Sequence, residues 1–200
     1  GNSSYGVTVS SVNAFEGYVS LSSEVLPSAV SSVTDNEVWV PQGESGSTTV
    51  SVGNVIRPNT VLTVRGSFSQ GCSQIEDEDT AAITAGSFTV EIDSGSSMGN
   101  QQYGVTVTSL DNFEGYVDLD SSLEPSAGCL LADPLIWVPQ GESGSTTCTV
   151  DNIVEPNTIL TVSGDFSQGG YTIEDEDSAP VTNGYFVVEV APSVGNDNSV

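Results

Sequence analysis

The two halves of this chain carry nearly the same sequence, and this repetition limits its fold more than any other feature. Tyr5-Gly6-Val7-Thr8-Val9 returns as Tyr103-Gly104-Val105-Thr106-Val107. The stretch from Trp39 to Thr49 returns unchanged from Trp137 to Thr147. Ile75-Glu76-Asp77-Glu78-Asp79 returns as Ile173-Glu174-Asp175-Glu176-Asp177. The offset stays at about 98 residues, without a gap, from Gly1 to about Glu189. That period is too long for a solenoid unit and predicts two copies of an independently folding domain. The expected division is 1–93 for repeat one, 94–98 for a Gly/Ser-rich linker, 99–191 for repeat two and 192–200 for a C-terminal tail.

Each repeat reads as all-β. No helical periodicity is present, and short alternating or β-branched runs are cut by Gly, Pro, Asn and Ser. In repeat one the strand candidates are Tyr5–Ser10, Gly17–Leu21, Val38–Val40, Ser47–Val52, Thr60–Arg65 and Phe88–Ile92, with weaker ones at Val30–Thr34 and Gly71–Ile75. Roughly seven strands in about 90 residues, with frequent turn signals, predict two tandem immunoglobulin-like Greek-key β-sandwiches. Val61, Leu62 and Val64, and likewise Phe88, Val90 and Ile92, are expected to supply inward faces. Trp39 and Trp137 are expected to fill the core rather than to stand exposed as a sugar platform. Pro41-Gln42-Gly43 and its copy are read as a hairpin that needs Pro and Gly for its backbone angles.

Charge narrows the partners. Arg57 and Arg65 are the only basic residues, there is no His, and the formal net charge is −25. Such a chain has almost nothing with which to neutralise phosphates, so nucleic acids and anionic membrane surfaces are excluded. Cations are the natural partners: calcium, magnesium or simply salt, which screens the self-repulsion. No apolar run approaches the roughly 20 residues needed to span a bilayer as a helix, so membrane insertion is not expected. A first residue of Gly1 is expected of a mature end left by removal of a signal peptide.

Cys129 and Cys148 occur only in repeat two; Ser31 and Val50 hold the matching places in repeat one. Paired presence and paired absence predict a Cys129–Cys148 disulfide, closing a loop of about 20 residues worth roughly 3 kcal/mol. That fits an oxidising, extracellular setting. Cys72 has no counterpart, and either an inter-subunit bond or a buried free thiol suits it.

The order of motifs carries a resemblance. Val7 to Leu21 holds a Thr-Val strand, Asn13-Ala14-Phe15-Glu16-Gly17 and then Tyr18-Val19-Ser20-Leu21. Leu26-Pro27-Ser28 and Val40-Pro41-Gln42-Gly43 follow. This is similar to the extracellular immunoglobulin-like repeats of bacterial and archaeal surface proteins, over most of each repeat. The resemblance implies a cell-surface, sheath or filament protein. One departure is the Glu-Asp-Glu-Asp run, which looks more like the acidic endings of Calx-beta-type calcium domains, without their full pattern.

Glu76, Asp77, Glu78 and Asp79, with Glu174, Asp175, Glu176 and Asp177, are the densest candidates for a metal site. Several carboxylates from one loop can converge on calcium, which takes six to eight oxygens. In a strand, alternate carboxylates would face opposite ways, so the expectation is a loop. The alternative is a solvated acidic segment. Asn2-Ser3-Ser4 is a glycosylation sequon at Asn2. Ser193-Val194-Gly195-Asn196 resembles Ser97-Met98-Gly99-Asn100, so the tail through Val200 reads as the beginning of a third copy. It is a candidate assembly segment, continuing into a neighbouring subunit by strand addition or by covering a sheet edge. With no His and no Lys, general-base and Schiff-base chemistry are not expected, and the reading is non-enzymatic.

The expectation is therefore a secreted structural protein, the head-to-tail repeating subunit of an extracellular filament or surface layer. Two alternatives stay open: a calcium-rigidified adhesin or stalk that binds a ligand, and a non-catalytic accessory module of a secreted enzyme.

Overall fold

The computed structural model describes residues 2–27, 29–93, 101–125, 129–150, 157–181 and 188–189. The linker 94–98 and the tail 192–200 lie outside the described residues. The described residues form antiparallel sheets and no helix.

In the first repeat, β1 (Ser3–Ser10), β5 (Ser45–Val52) and β3 (Ser31–Val33) make one sheet in the order β1-β5-β3. A second sheet runs β4 (Glu37–Val40), β2 (Gly17–Leu26), β6 (Thr60–Gln70), β7 (Ser73–Ile83). In the second repeat, β12 (Leu135–Val138), β10 (Gly115–Glu124), β14 (Ile159–Gln168) and β15 (Tyr171–Pro180) repeat that second sheet in the same order. The remaining sheet is β11 (Leu130–Leu131), β13 (Ser143–Val150), β9 (Gln101–Leu110) and β8 (Ser87–Asp93). All pairings are antiparallel, an arrangement consistent with a β-sandwich.

The alternation written in the sequence sets the faces. Strands β2 and β10 share one pattern, with Val19, Leu21 and Val25 buried in the first and Val117, Leu119 and Leu123 in the second. The same alternation corrects the expectation for the tryptophans. Val38 and Val40 are buried, so Trp39 between them must point outward; it is 43 % exposed, as is Trp137. Each packs at a tilt against an outward tyrosine, Trp39 against Tyr18 and Trp137 against Tyr116, with ring centroids 4.9 Å apart. The Pro41 turn is not the expected hairpin, because it carries the chain from β4 in one sheet to β5 in the other, but it is still a backbone device. Gly43 has φ +75°, and Glu44 N–H donates to Pro41 C=O at 3.1 Å, as a type II turn requires.

The two halves differ in one strand. Strand β8 lies in the sequence of repeat one, yet it pairs along its whole length with β9, from Ser87 opposite Leu110 to Asp93 opposite Gly104. Consecutive strands joined by a short connection commonly pair in this way. Phe88 and Val90 face inward as the sequence predicts, but into the core that also holds Val105, Phe113 and Val162. The first repeat is left with a three-stranded sheet and two smaller apolar clusters.

Candidate functional site

The acidic runs are in strands rather than in the expected loop. Glu76–Asp79 lies within β7, paired to β6 by a long hairpin register, and Glu174–Asp177 lies within β15. Pleating therefore sends alternate carboxylates to opposite faces. On the outer face, Glu78 meets Arg65 at 2.9 Å, with both side chains well exposed. On the inner face, Asp175 accepts the Val90 N–H at 2.7 Å and Asp177 accepts the Ile92 N–H at 2.8 Å. These carboxylates thus fasten β8 across the open side between the two sheets, through charge-assisted bonds to main-chain donors. Among the described residues, no group of three or more His, Cys, Asp or Glu side chains has a metal-holding arrangement.

In the first repeat the place corresponding to β8 is a groove of about 270 Å³. Tyr5 to Ser10 of β1 form one wall, Asp77 to Ala81 of β7 the other, and Leu21, Leu62 and Val64 the floor. Burial changes where the strand is missing. Tyr103 is 2 % exposed, and Val105, Val107 and Phe113 are fully buried. Their equivalents Tyr5, Val7, Val9 and Phe15 are all only half-buried. Ile75 is 57 % exposed, whereas Ile173 packs partly buried against the core. The glycines report the same difference. A Cβ on Gly104 would lie 3.4 Å from Asp93 of β8; one on Gly6 would meet nothing within 4 Å. A Cβ on Gly164 would sit 3.0 Å from Val90, a contact that Gly66 lacks.

The end of β7 and the start of β8 also join the two repeats. Gly86 N–H donates to Val55 C=O at 2.7 Å, and a Cβ on Gly86 would collide with Phe113 N at 2.4 Å, so this close approach requires glycine. The Asn54 side-chain amide donates to Glu114 C=O at 2.7 Å, Ile56 belongs to the second core, and the Phe88 and Phe113 rings lie 5.2 Å apart.

No family model, curated protein or solved structure was found to match the chain.

Among the described residues, the cysteines and Asn2 are separate from the groove. Cys129 and Cys148 form the expected disulfide, Cα to Cα 5.9 Å, with Cys148 fully buried. In repeat one the matching Ser31 instead accepts a hydrogen bond from the Ser23 hydroxyl at 2.9 Å. Cys72 is a free thiol, and it is exposed rather than buried. It sits in the two-residue turn between β6 and β7, beside Gly71 at φ +63°. Asn2 of the sequon is exposed. Ser193, Val194, Gly195, Asn196 and Val200 lie outside the described residues.

The groove itself was missed in the sequence, although a signal was present. Phe88–Ile92 reads as a strand, and a short connection to repeat two favours an antiparallel pair with the next strand.

Proposed function

We propose that this chain is a secreted structural protein built from two tandem immunoglobulin-like Greek-key sandwiches. In this reading it is the repeating subunit of an extracellular filament or surface layer, joined end to end. One observation carries the reading: strand β8 of the first repeat is built into the sheet of the second. Repeats joined by a shared strand cannot be separated without breaking a whole ladder of main-chain hydrogen bonds, and such a joint suits a protein that bears load along its length.

The other properties agree. A disulfide fits an oxidising exterior. A net charge of −25 suits a salty or cation-bearing medium, where counter-ions screen the self-repulsion. No helix among the described residues is long and apolar enough to cross a membrane. The protein works by assembly rather than by catalysis in this account, and its partners are further copies of itself together with mono- or divalent cations.

Negative-stain microscopy of the purified protein, in salt and with added divalent cation, is the test. Ordered fibres or sheets are expected. A population of isolated particles at every salt and protein concentration would overturn the reading.

A further inference from the structure

We propose that the groove between β1 and β7 is the acceptor site for a strand from a second copy of this chain, the segment Phe186–Val190. This rests on the filament reading above and assigns its joint. The groove has the shape of a site whose occupant is already known in the other repeat. There β8 lies between β9 and β15, covers Val105, Val107 and Phe113, and is fastened by Asp175 and Asp177. The first repeat keeps every acceptor feature: the β1 edge, the half-buried Tyr5, Val7 and Val9, and Asp77 and Asp79 on the opposite wall.

The donor is present in the same sequence. Gly86-Ser87-Phe88-Thr89-Val90-Glu91-Ile92 corresponds to Gly184-Tyr185-Phe186-Val187-Val188-Glu189-Val190. Phe, Val, Glu and a β-branched residue recur at the same spacing. Gly184 preserves the glycine whose counterpart is pressed against Phe113. Within one chain Val188 is 75 % exposed, while its equivalent Val90 is 3 % exposed. A strand-like apolar sequence whose described valine is exposed, and a sheet edge without its strand, are complementary halves of a strand-addition contact.

The register follows from the observed pair. Glu91 lies opposite Thr106, so Glu189 of one copy lies opposite Thr8 of the next. Val188 and Val190 N–H then donate to Asp77 and Asp79, as Val90 and Ile92 donate to Asp175 and Asp177. Phe186 covers Phe15 as Phe88 covers Phe113. The contact is heterologous, so it propagates head to tail rather than closing a two-fold dimer.

The test is a register-specific cross-link in the full chain, with Cys72→Ser to remove the free thiol. Thr8→Cys with Glu189→Cys places two outward cysteines directly opposite. Thr8→Cys with Val187→Cys is two residues out of register, where the Cβ atoms are about 7–8 Å apart and beyond disulfide reach. On oxidation, the in-register pair is expected to give a ladder of linked chains on a non-reducing gel, and the shifted pair only the single-chain band. Val188→Arg added to the in-register pair should abolish the ladder while leaving the melting of the dilute monomer unchanged, because Val188 is exposed there. Fibres in the microscope without an in-register ladder would overturn the strand contact and leave the filament reading standing. A ladder without fibres would keep the contact and overturn the ordered filament. Absence of both would overturn both, and a disulfide formed within single chains would overturn the second-copy occupant.

Discussion

Removing Asp175 and Asp177 together probes how β8 is held. Their carboxylates accept the Val90 and Ile92 N–H groups at 2.7 and 2.8 Å, so Asp175→Ala with Asp177→Ala leaves two partly buried main-chain donors without acceptors. Hydrogen bonds to charged groups contribute about 1.5–3 kcal/mol each, so the pair is worth about 3–6 kcal/mol. One opposing effect has to be cancelled. In a chain of net charge −25, deleting two negative charges relieves repulsion. Asp77→Ala with Asp79→Ala deletes the same charge from the matching positions of β7. Even the local bonds match, Asp79 Oδ1 to the Thr80 N–H and Asp177 Oδ1 to the Ser178 N–H, both at 2.8 Å. The difference between the two double variants therefore isolates the bonds to β8. At about 2–4 °C per kcal/mol for a chain of this size, the β15 variant should melt at least about 6 °C below the β7 variant. The assay is thermal unfolding followed by circular dichroism, on dilute protein shown to be monomeric by light scattering. Equal melting temperatures would refute the reasoning, because they would mean that β8 is not fastened by these carboxylates.

Reducing the Cys129–Cys148 bond should lower stability by about 3 kcal/mol through the freed loop, seen as a shift in the urea midpoint with reductant; no shift would contradict a stabilising bridge. Raising sodium chloride from about 0.01 to 1 M shortens the screening length from about 30 to 3 Å and should raise the melting temperature. Because the acidic runs alternate across β7 and β15, calcium and magnesium at matched ionic strength should act alike. A rise specific to calcium would mean that carboxylates from several elements converge after all. Trp39 and Trp137, on the outer faces of their sheets, should be readily quenched by acrylamide in the folded protein; emission protected until unfolding would return them to the core.

Much of the fold was legible because β-strands write their faces into a two-residue alternation. Val38-Trp39-Val40 shows both the power and the danger of that rule. The valines were read correctly as a strand, and the same alternation forces the tryptophan outward, yet its size suggested a core position. The acidic run fell to the opposite error. Its carboxylates argued for a loop, but pairing with β6 across the whole hairpin outweighed their low strand propensity. Asp177 also gains from the strand, since it reaches the backbone of β8 from there. The partner of β8 was the least legible feature. Its apolar face is satisfied by either of two nearly identical cores, and local sequence does not distinguish them. Gly86 lets the chain cross tightly against Phe113 on its way to the second core. The paired cysteines were legible for a different reason, since a disulfide leaves two substitutions at once when the copies are compared.

Helical reconstruction of assembled fibres by cryo-electron microscopy tests the central claim most directly. The account predicts density for an added strand antiparallel to β1, lying between β1 and β7, with Glu189 opposite Thr8 and its chain traced to the preceding copy. Fibres in which that groove is empty, or is filled by a strand of the same chain, would contradict it.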